Sequence, residues 1–211
     1  MPIKTEREYR AMNPMQIRSM AEEKDERKLV EGYATTFDSA YTLFDTGDYE
    51  VREVVDRHAF DDCDMTDVIM QYDHQGRVFA RTRNNTLQLE ADDHGLKIVA
   101  DLGGTEIGQQ LYEEIRGGYT DQMSFGFIVA EDEKTYTEDH TTGKTTVLRK
   151  ITKISKLYDV SAVSIPANDQ TTISARNLSD GWIEEAKAER LRAQKRAKLA
   201  LKIKMLESEK E

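Results

Sequence analysis

Three side chains of this sequence are of the types that together can form an activated nucleophile. A serine hydroxyl attacks poorly until a base removes its proton, and histidine can be that base because it titrates near neutral pH. A third group must fix the tautomer of the imidazole and stabilise the imidazolium that forms. His74, Ser124 and Asp159 could fill these roles as base, nucleophile and third member.

Each of these residues also has a purely structural interpretation. Ser124 could be a half-buried strand serine bonded to a neighbouring strand, and His74 could be a surface histidine. Asp159 could be a charge on an edge strand, where it would deter aggregation. A carboxylate in mid-strand is nevertheless unusual, and burying it costs free energy unless it is paired or hydrogen-bonded.

The stretch around Ser124 indicates a helix, a turn and a strand. Thr105 can cap a helix in which apolar residues recur every four positions, and Gly117-Gly118 can end that helix. From Met123 the apolar residues alternate, so Ser124 and Gly126 share the opposite face of a strand. That face would display one hydroxyl among small residues, with room for another backbone.

His74 and Asp159 are also assigned to β-structure. His74 directly follows an alternating strand at residues 68–72, so a rigid element would hold it. Asp159 lies in the longest β-rich stretch, residues 146–165, where Leu157, Asp159 and Ser161 share one parity. The three candidate residues would therefore be carried by the ends and middles of strands.

The whole chain is predicted to be mainly β. Many short strands with a single internal helix favour an α+β fold built on a β-barrel or closed sheet. We predict three parts: a charged flexible N-terminal arm (1–28), the β-rich domain (29–178) and a charged helical tail (179–211), whose helix Ser179 or Asp180 can cap.

Composition limits the classes of function. The net charge is −10 over 211 residues, yet the segment Lys187–Lys204 carries eight Lys or Arg against one Glu. An acidic body with a basic tail argues against specific nucleic-acid binding by the body and suggests a partner for the tail. No long apolar run predicts a membrane span, and the N-terminal residues do not resemble a secretory signal. Cys63 is the only cysteine, which excludes an internal disulfide and a thiolate-rich zinc site and is typical of a reducing compartment.

Four segments of the chain resemble the capsid-maturation (prohead) proteases of tailed bacteriophages, a family similar in fold to the herpesvirus protease assemblin. Their order and spacing are preserved over roughly residues 29–175. The segments are Val30-Glu31-Gly32-Tyr33-Ala34 with Phe37, Tyr72-Asp73-His74, Gly118 through Met123-Ser124-Phe125-Gly126-Phe127, and Leu157-Tyr158-Asp159-Val160-Ser161-Ala162-Val163-Ser164-Ile165-Pro166-Ala167.

The resemblance implies a serine endopeptidase without a cofactor, on an assemblin-like β-barrel with peripheral helices. It assigns His74 as base, Ser124 as nucleophile and Asp159 as third member, although the family usually has Glu at this last position. A second departure is His58 in Asp56-Arg57-His58-Ala59-Phe60, where the family usually has glycine. Backbone N–H groups near Pro166-Ala167-Asn168 are the expected neighbourhood of the oxyanion donors.

The resemblance also implies a biological setting. Such enzymes are packaged inside the procapsid in the host cytoplasm, where they cut the scaffold segment of the major capsid protein and often themselves. Assemblin-like enzymes can dimerise, so a homodimer is one state that the family allows. The basic tail, residues 179–211, could then be a cleavable tether to an acidic scaffold or capsid surface.

Two other functions are compatible with the sequence. A non-enzymatic scaffold or capsid-assembly protein could have the same fold, the acidic body and the helical tail, and it would not need the Ser124 hydroxyl. A metal-dependent hydrolase could use His74 with Asp73 and the Asp92-Asp93-His94 cluster, although that spacing matches no metal motif. Loss of activity when the Ser124 hydroxyl is removed would identify the protease. Loss of activity in the presence of a metal chelator would identify the metal enzyme.

Overall fold

The structure is a computed structural model that describes residues 7–20, 27–139, 141–164 and 169–208. The fold is α+β and mainly β, as predicted. The strands are β1 (Glu8–Ser19), β2 (Leu29–Thr36), β3 (Tyr41–Asp45), β4 (Tyr49–Val55), β5 (Ile69–Tyr72), β6 (Gln75–Arg81), β7 (Leu87–Ala91), β8 (Gly95–Asp101), β9 (Gln122–Glu138) and β10 (Thr145–Val163), and the helices are α1 (Glu106–Arg116) and α2 (Asp169–Ser208).

The strands form one open sheet in the order β3-β4-β10-β9-β1-β2-β8-β7. Strand β10 is central: it pairs antiparallel with β9 and parallel with β4 along its first part and with β5 along its last part, and β6 pairs with β5. A barrel requires its first and last strands to pair, and within the described ranges β3 and β7 each pair with a single neighbour.

The prediction of a closed β-barrel is therefore wrong. It counted many short strands, whereas residues 122–138 and 145–163 form two long strands of 17 and 19 residues. The polar residues 131–138 form the end of β9 and pair with the start of β10. Two strands of this length support a wide, open sheet of ten strands.

The N-terminal part of the chain differs from the predicted flexible arm. Within residues 1–28, Glu8–Ser19 form β1, which lies between β9 and β2 in the sheet. Residues 8–11 pair with β9, and residues 17–19 pair with β2. The charged side chains of Glu8 and Arg10, which suggested a solvated arm, are buried and paired with other charges, so the sequence pattern was misleading there.

The elements around Ser124 match their prediction. The Thr105 hydroxyl caps α1 by accepting a hydrogen bond from the Gly108 N–H, at 3.1 Å, and Gly118 beyond the helix has a positive φ of 72°. In β9 the alternating apolar side chains all have 0% exposure and enter the main core: Met123, Phe125, Phe127 and Val129. Leu111 and Ile115 of α1 cover the same core.

Helix α2 begins earlier than predicted, at Asp169 rather than at a cap on Ser179 or Asp180. Trp182, Ile183 and Ala186 are buried in a second apolar cluster against β4 and β10, so this turn of the helix is docked on the sheet. The described side chains from residue 191 onward are exposed, as expected for a charged solvated helix. Among the described helices, none combines the length and hydropathy needed to cross a membrane.

Candidate active site

His74, Ser124 and Asp159 lie together, although 50 and 85 residues separate His74 from its two partners. The His74 Nε2 atom is 2.5 Å from the Ser124 hydroxyl oxygen, and its Nδ1 atom is 2.5 Å from Asp159 Oδ1. The His74 tautomer with a proton on Nδ1 donates to Asp159 and leaves Nε2 free to accept the serine proton. The three side chains are thus connected in the order Ser124, His74 and Asp159.

A tight turn after β5 positions His74. Tyr72 pairs with Gln75, so Asp73 and His74 are the two central residues of a hairpin turn, and their φ angles are 47° and 58°. Two consecutive positive φ angles are typical of a type I′ turn, and Asp and His tolerate this conformation better than most residues. The Asp73 N–H donates to the Ala162 carbonyl at 3.0 Å, and its carboxylate accepts from the Ser164 N–H at 3.1 Å. These bonds to β10 hold the imidazole over the sheet.

Ser124 and Asp159 approach across the β9–β10 pair. Ser124 is paired with Ser161, and Gly126 is paired with Asp159. Leu157 is paired with Phe127, so the register shifts between Leu157 and Asp159 and turns Asp159 away from the face of Leu157. The prediction that these two residues share a face is therefore wrong, because a β-bulge breaks the alternation.

The small-residue face predicted beside Ser124 accommodates the Asp159 carboxylate. A Cβ atom on Gly126 would lie 2.4 Å from Asp159 Oδ2 and 2.9 Å from an atom of the Tyr9 ring. Only glycine leaves room for both groups, so Gly126 sets the approach of the carboxylate to the site. The small residues beside Ser124 predict the gap, and the structure shows that the Asp159 carboxylate and the Tyr9 ring lie in it.

Asp159 has 0% exposure, and its oxygens are nevertheless satisfied. Besides His74, it accepts a hydrogen bond from the Ser161 hydroxyl at 2.9 Å and forms an ion pair with Arg7. The Arg7 guanidinium also lies 4.4 Å from the centre of the Tyr158 ring. A buried carboxylate is tolerated under these conditions because each oxygen has a donor.

Strand β1 supplies groups to the site that sequence analysis missed. Arg7 reaches Asp159, and the Tyr9 ring packs edge-on against His74 with 4.5 Å between ring centres. Burial raises the pKa of Tyr9; the Arg7 charge lowers it and the Asp159 charge raises it, with a net rise, so the phenol stays neutral. The Ser124 hydroxyl lies 2.9 Å from the Arg10 carbonyl oxygen. No apolar periodicity marks this segment as a strand, so the sequence alone gives no signal for these contacts.

A group of buried charges lies on the other face of β1. We call it the charge cluster, and its members are Glu8, Arg10, Glu53, Asp132 and Arg149. Burial would lower the pKa of Arg10, but Glu53 and Glu8 outweigh it and raise the pKa above its ordinary value. Burial would likewise raise the pKa of Glu53, but Arg10 and Arg149 keep it below the ordinary carboxyl value. Arg10 and Glu53 therefore remain charged and hold each other in place.

The site is covered rather than open. A cavity of about 380 Å³ lies nearby between the β5–β6 hairpin and α1, and its lining includes Tyr72, Phe79 and Leu111 but none of the three candidate residues. Ser124 is 1% exposed, and the His74 side chain is 10% exposed. The backbone and side chains of β1 account for this cover, as the contacts of Tyr9 and Arg10 show.

The residues of the alternative metal site have other partners. Asp92 accepts hydrogen bonds from the Tyr33 hydroxyl at 2.7 Å and from the N–H groups of His94 and Gly95. The His94 ring packs edge-on against Tyr33. In the part of the chain that the structure describes, no group of three or more His, Cys, Asp or Glu side chains is arranged to hold a metal ion. Pro166-Ala167-Asn168, the predicted neighbourhood of the oxyanion donors, lies outside the described residues.

Comparison with known proteins identifies the family. A family model described as caudovirus prohead serine protease matches residues 15–184, which is more than half of the chain and includes His74, Ser124 and Asp159. Searches of curated proteins and of solved structures gave no match. The resemblance to prohead proteases noted in the sequence is thereby confirmed, while likeness to assemblin stays a prediction. The chain belongs to the caudovirus prohead serine protease family.

Proposed function

We propose that this protein is a serine endopeptidase of phage capsid maturation in which Ser124 is the nucleophile, His74 the general base and Asp159 the third member. Membership of the prohead protease family supports a maturation protease that acts in the procapsid inside the host cell. The observation that carries the proposal is the continuous contact from Asp159 through both ring nitrogens of His74 to the Ser124 hydroxyl.

The chemistry follows from these contacts. Ser124 Oγ attacks the carbonyl carbon of the scissile peptide bond while its proton passes to His74 Nε2. Asp159 accepts the hydrogen bond from Nδ1 and stabilises the imidazolium. His74 then gives the proton to the leaving amine, the C–N bond breaks, and an ester on Ser124 remains. Water, deprotonated by His74, hydrolyses this ester and restores the serine.

The shorter aspartate suits the third position because of its surroundings. The bulge before Asp159 turns its side chain away from the face of Leu157, and the missing side chain of Gly126 lets the carboxylate lie against β9. Ser161 donates to the same Oδ1 atom that accepts from His74, at 2.9 Å, which fixes the orientation of the carboxylate. A second donor on the acceptor atom is the kind of support that preorganised sites need.

The proposed substrates are the major capsid protein with its scaffold segment and the protease itself. A homodimer and a tethering role for the basic end of α2 are further proposals that rest on the family and on the charge of residues 187–204. We expect all proteolysis to depend on Ser124, whereas assembly contacts of a non-enzymatic scaffold protein would not depend on it.

Co-expression of the protein with its phage's capsid and scaffold proteins tests the proposal. Wild type should cleave the capsid protein and react with a fluorophosphonate at Ser124, while Ser124→Ala should do neither. Ser155→Ala is the matched control, because Ser155 is an exposed serine of β10 that only donates to the Ile128 carbonyl. Equal capsid cleavage by wild type and Ser124→Ala would refute the assignment, and normal assembly without any cleavage would favour the non-enzymatic alternative.

A further inference from the structure

Residues 8–11 are bound to the edge of β9 as an added peptide strand would be. They pair antiparallel with Phe127 through Ser124, and the pairing of β1 with β2 involves only residues 17–19. Addition of an extended segment to a sheet edge is a common way of binding peptides, with backbone bonds giving affinity and alternate side chains giving specificity. The match to the protease family begins at residue 15, so the segment lies outside the matched range.

One peptide bond of this segment lies beside the proposed nucleophile. The Arg10 carbonyl oxygen is 2.9 Å from Ser124 Oγ, and Ala11 is the residue paired with Ser124. The serine hydroxyl has one proton and two neighbouring acceptors, the Arg10 carbonyl and His74 Nε2. The Arg10–Ala11 bond is therefore the peptide bond of this segment whose carbonyl group contacts the proposed nucleophile.

The side chain before this bond enters an acidic, enclosed position. Arg10 is 4% exposed, and its guanidinium donates to Glu53 at 2.6 Å and 3.1 Å and to Glu8 at 2.5 Å. Glu53 has 0% exposure and also accepts from the Tyr41 hydroxyl. Two residues before the bond's arginine, Glu8 pairs with Arg149, which is likewise fully buried.

We propose that the edge of β9 from Ser124 to Phe127 is the substrate-binding edge, that Glu53 selects Arg or Lys immediately before the cleaved bond, and that residues 8–11 occupy this edge as an internal substrate. Arg149 would favour an acidic residue two positions earlier in the substrate. This inference rests on the proposed function, because it needs Ser124 as nucleophile.

The buried charges around Arg10 support the proposal that residues 8–11 can leave the edge of β9. Without Arg10, Glu53 keeps Arg149 as its partner but loses a second buried cation, and a basic side chain of another peptide would restore it. In the occupied state Arg7 pairs with Asp159, and this cation opposes the positive charge that His74 must acquire during catalysis. While residues 8–11 are bound, this ion pair should therefore slow the cut between Arg10 and Ala11, and it is lost when the segment leaves.

Cleavage at this site is a balanced hydrolysis. Ser124 Oγ bonds to the Arg10 carbonyl carbon, the bond to the Ala11 nitrogen breaks, and His74 transfers the serine proton to that nitrogen. Water then releases residues 1–10 with a carboxylate on Arg10 and returns the proton to Ser124 through His74. The new N-terminus is Ala11.

Two fluorogenic peptides test the specificity with the full chain. The probes are acetyl-Glu-Tyr-Arg-aminomethylcoumarin and the same peptide with Gln in place of Arg. We expect kcat/KM to be about 100-fold higher for the arginine peptide, because the glutamine peptide leaves buried Glu53 with one cationic partner instead of two. Glu53→Gln should remove this preference, with fluorophosphonate labelling of Ser124 showing that the variant still forms its active site. Equal rates for the two peptides in wild type would overturn the inference.

Variants of Arg10 test the internal substrate. Intact mass of wild type should show loss of residues 1–10, and Arg10→Lys should still be cut there. Arg10→Ala should resist this cut yet react faster with the fluorophosphonate than wild type that still carries residues 1–10, because the covering strand is held less tightly. A purely structural role for Arg10 would instead slow the labelling. Arg18→Ala is the matched control on the same strand, since Arg18 is exposed and pairs with Glu31.

The outcomes separate this inference from the proposed function. If wild type is labelled at Ser124 and cleaves the capsid protein but shows no preference for arginine, the inference alone is overturned. The same holds if wild type is labelled and active but its Arg10–Ala11 bond stays uncut. Absence of labelling and of capsid cleavage in both wild type and Arg10→Ala would overturn the proposed function and the inference with it.

Discussion

Gly126→Ala is a small change that tests how Asp159 is positioned. The added Cβ atom would lie 2.4 Å from Asp159 Oδ2, whereas ordinary contacts of such an atom begin near 3.4 Å. The carboxylate or the strand must therefore move by about 1 Å, and a displacement of this size in a catalytic site costs about 100-fold in rate. Asp159 lies in a strand paired on both sides, with β9 and with β5, so the side chain must move before the backbone does.

The expected result is a fall of about 100-fold in kcat for a peptide substrate, with a smaller change in KM. The free energy of unfolding should fall by about 1–3 kcal/mol through overpacking, as urea denaturation would show. Glycine-to-alanine substitution itself restricts the unfolded chain, which offsets part of this loss. The large effect on rate with a moderate effect on stability is the signature of a displaced carboxylate.

Gly181→Ala is the matched control. Apart from its chain neighbours and its own helix backbone, no heavy atom of the residues that the structure describes lies within 4 Å of the Cβ that it would add, and Gly181 is an exposed residue inside α2. Alanine is favoured over glycine in helices by about 1 kcal/mol, so this variant should keep its activity and gain stability. Wild-type activity in Gly126→Ala would refute the argument that the carboxylate position depends on the absent side chain.

Three further predictions concern stability and reactivity. Burial raises the pKa of the Cys63 thiol to about 12, so iodoacetamide at pH 8 should modify the folded protein much more slowly than the urea-unfolded one; equal rates would contradict the burial argument. Burial would raise the pKa of Glu53, but Arg10 and Arg149 outweigh burial and hold the pKa below its ordinary value of 4.5. Because the unfolded state then binds a proton more readily than the folded state, the contribution of Glu53 to the free energy of unfolding should be fully present above pH 4.5 and lost as the pH falls further. Urea titrations at several pH values should show that Glu53→Gln weakens this dependence. Trp182→Ala should lower the free energy of unfolding by about 3–5 kcal/mol, followed by circular dichroism, while Leu191→Ala on the exposed part of α2 should have little effect.

Local patterns of the sequence predicted the elements that depend on local physics. Helix α1 begins after the Thr105 cap and ends at Gly117, and the alternating residues after Met123 enter the core as expected. The assignment of His74, Ser124 and Asp159 needed two non-local arguments, the chemistry of the three side chains and the family resemblance. Spacing along the chain could not show that these residues meet.

The errors of the sequence analysis have non-local causes. Glu8 and Arg10 look like solvated residues in sequence, but the remote charges of Glu53 and Arg149 allow them to be buried in a strand. The bulge before Asp159 depends on how β9 pairs with β10, and a parity count within one strand cannot detect it. An early start of α2 and an open sheet likewise depend on contacts between elements, which a single stretch of sequence does not encode.

The composition of the charge cluster explains why residues 8–11 could leave the edge of β9 without disrupting the fold. The cluster has two cations, Arg10 and Arg149, and three carboxylates, one of which is on Glu8. Departure of residues 8–11 removes one charge of each sign, so the net charge of the buried group stays at −1, and Arg149 keeps Glu53 and Asp132. Arg149 also remains against the Trp182 ring, 5.0 Å from its centre, so this contact with α2 does not depend on residues 8–11. Without residues 8–11, the edge of β9 would therefore keep its shape and would still favour a peptide with one basic and one acidic side chain. A site that cuts its own chain first and other chains afterwards requires this property.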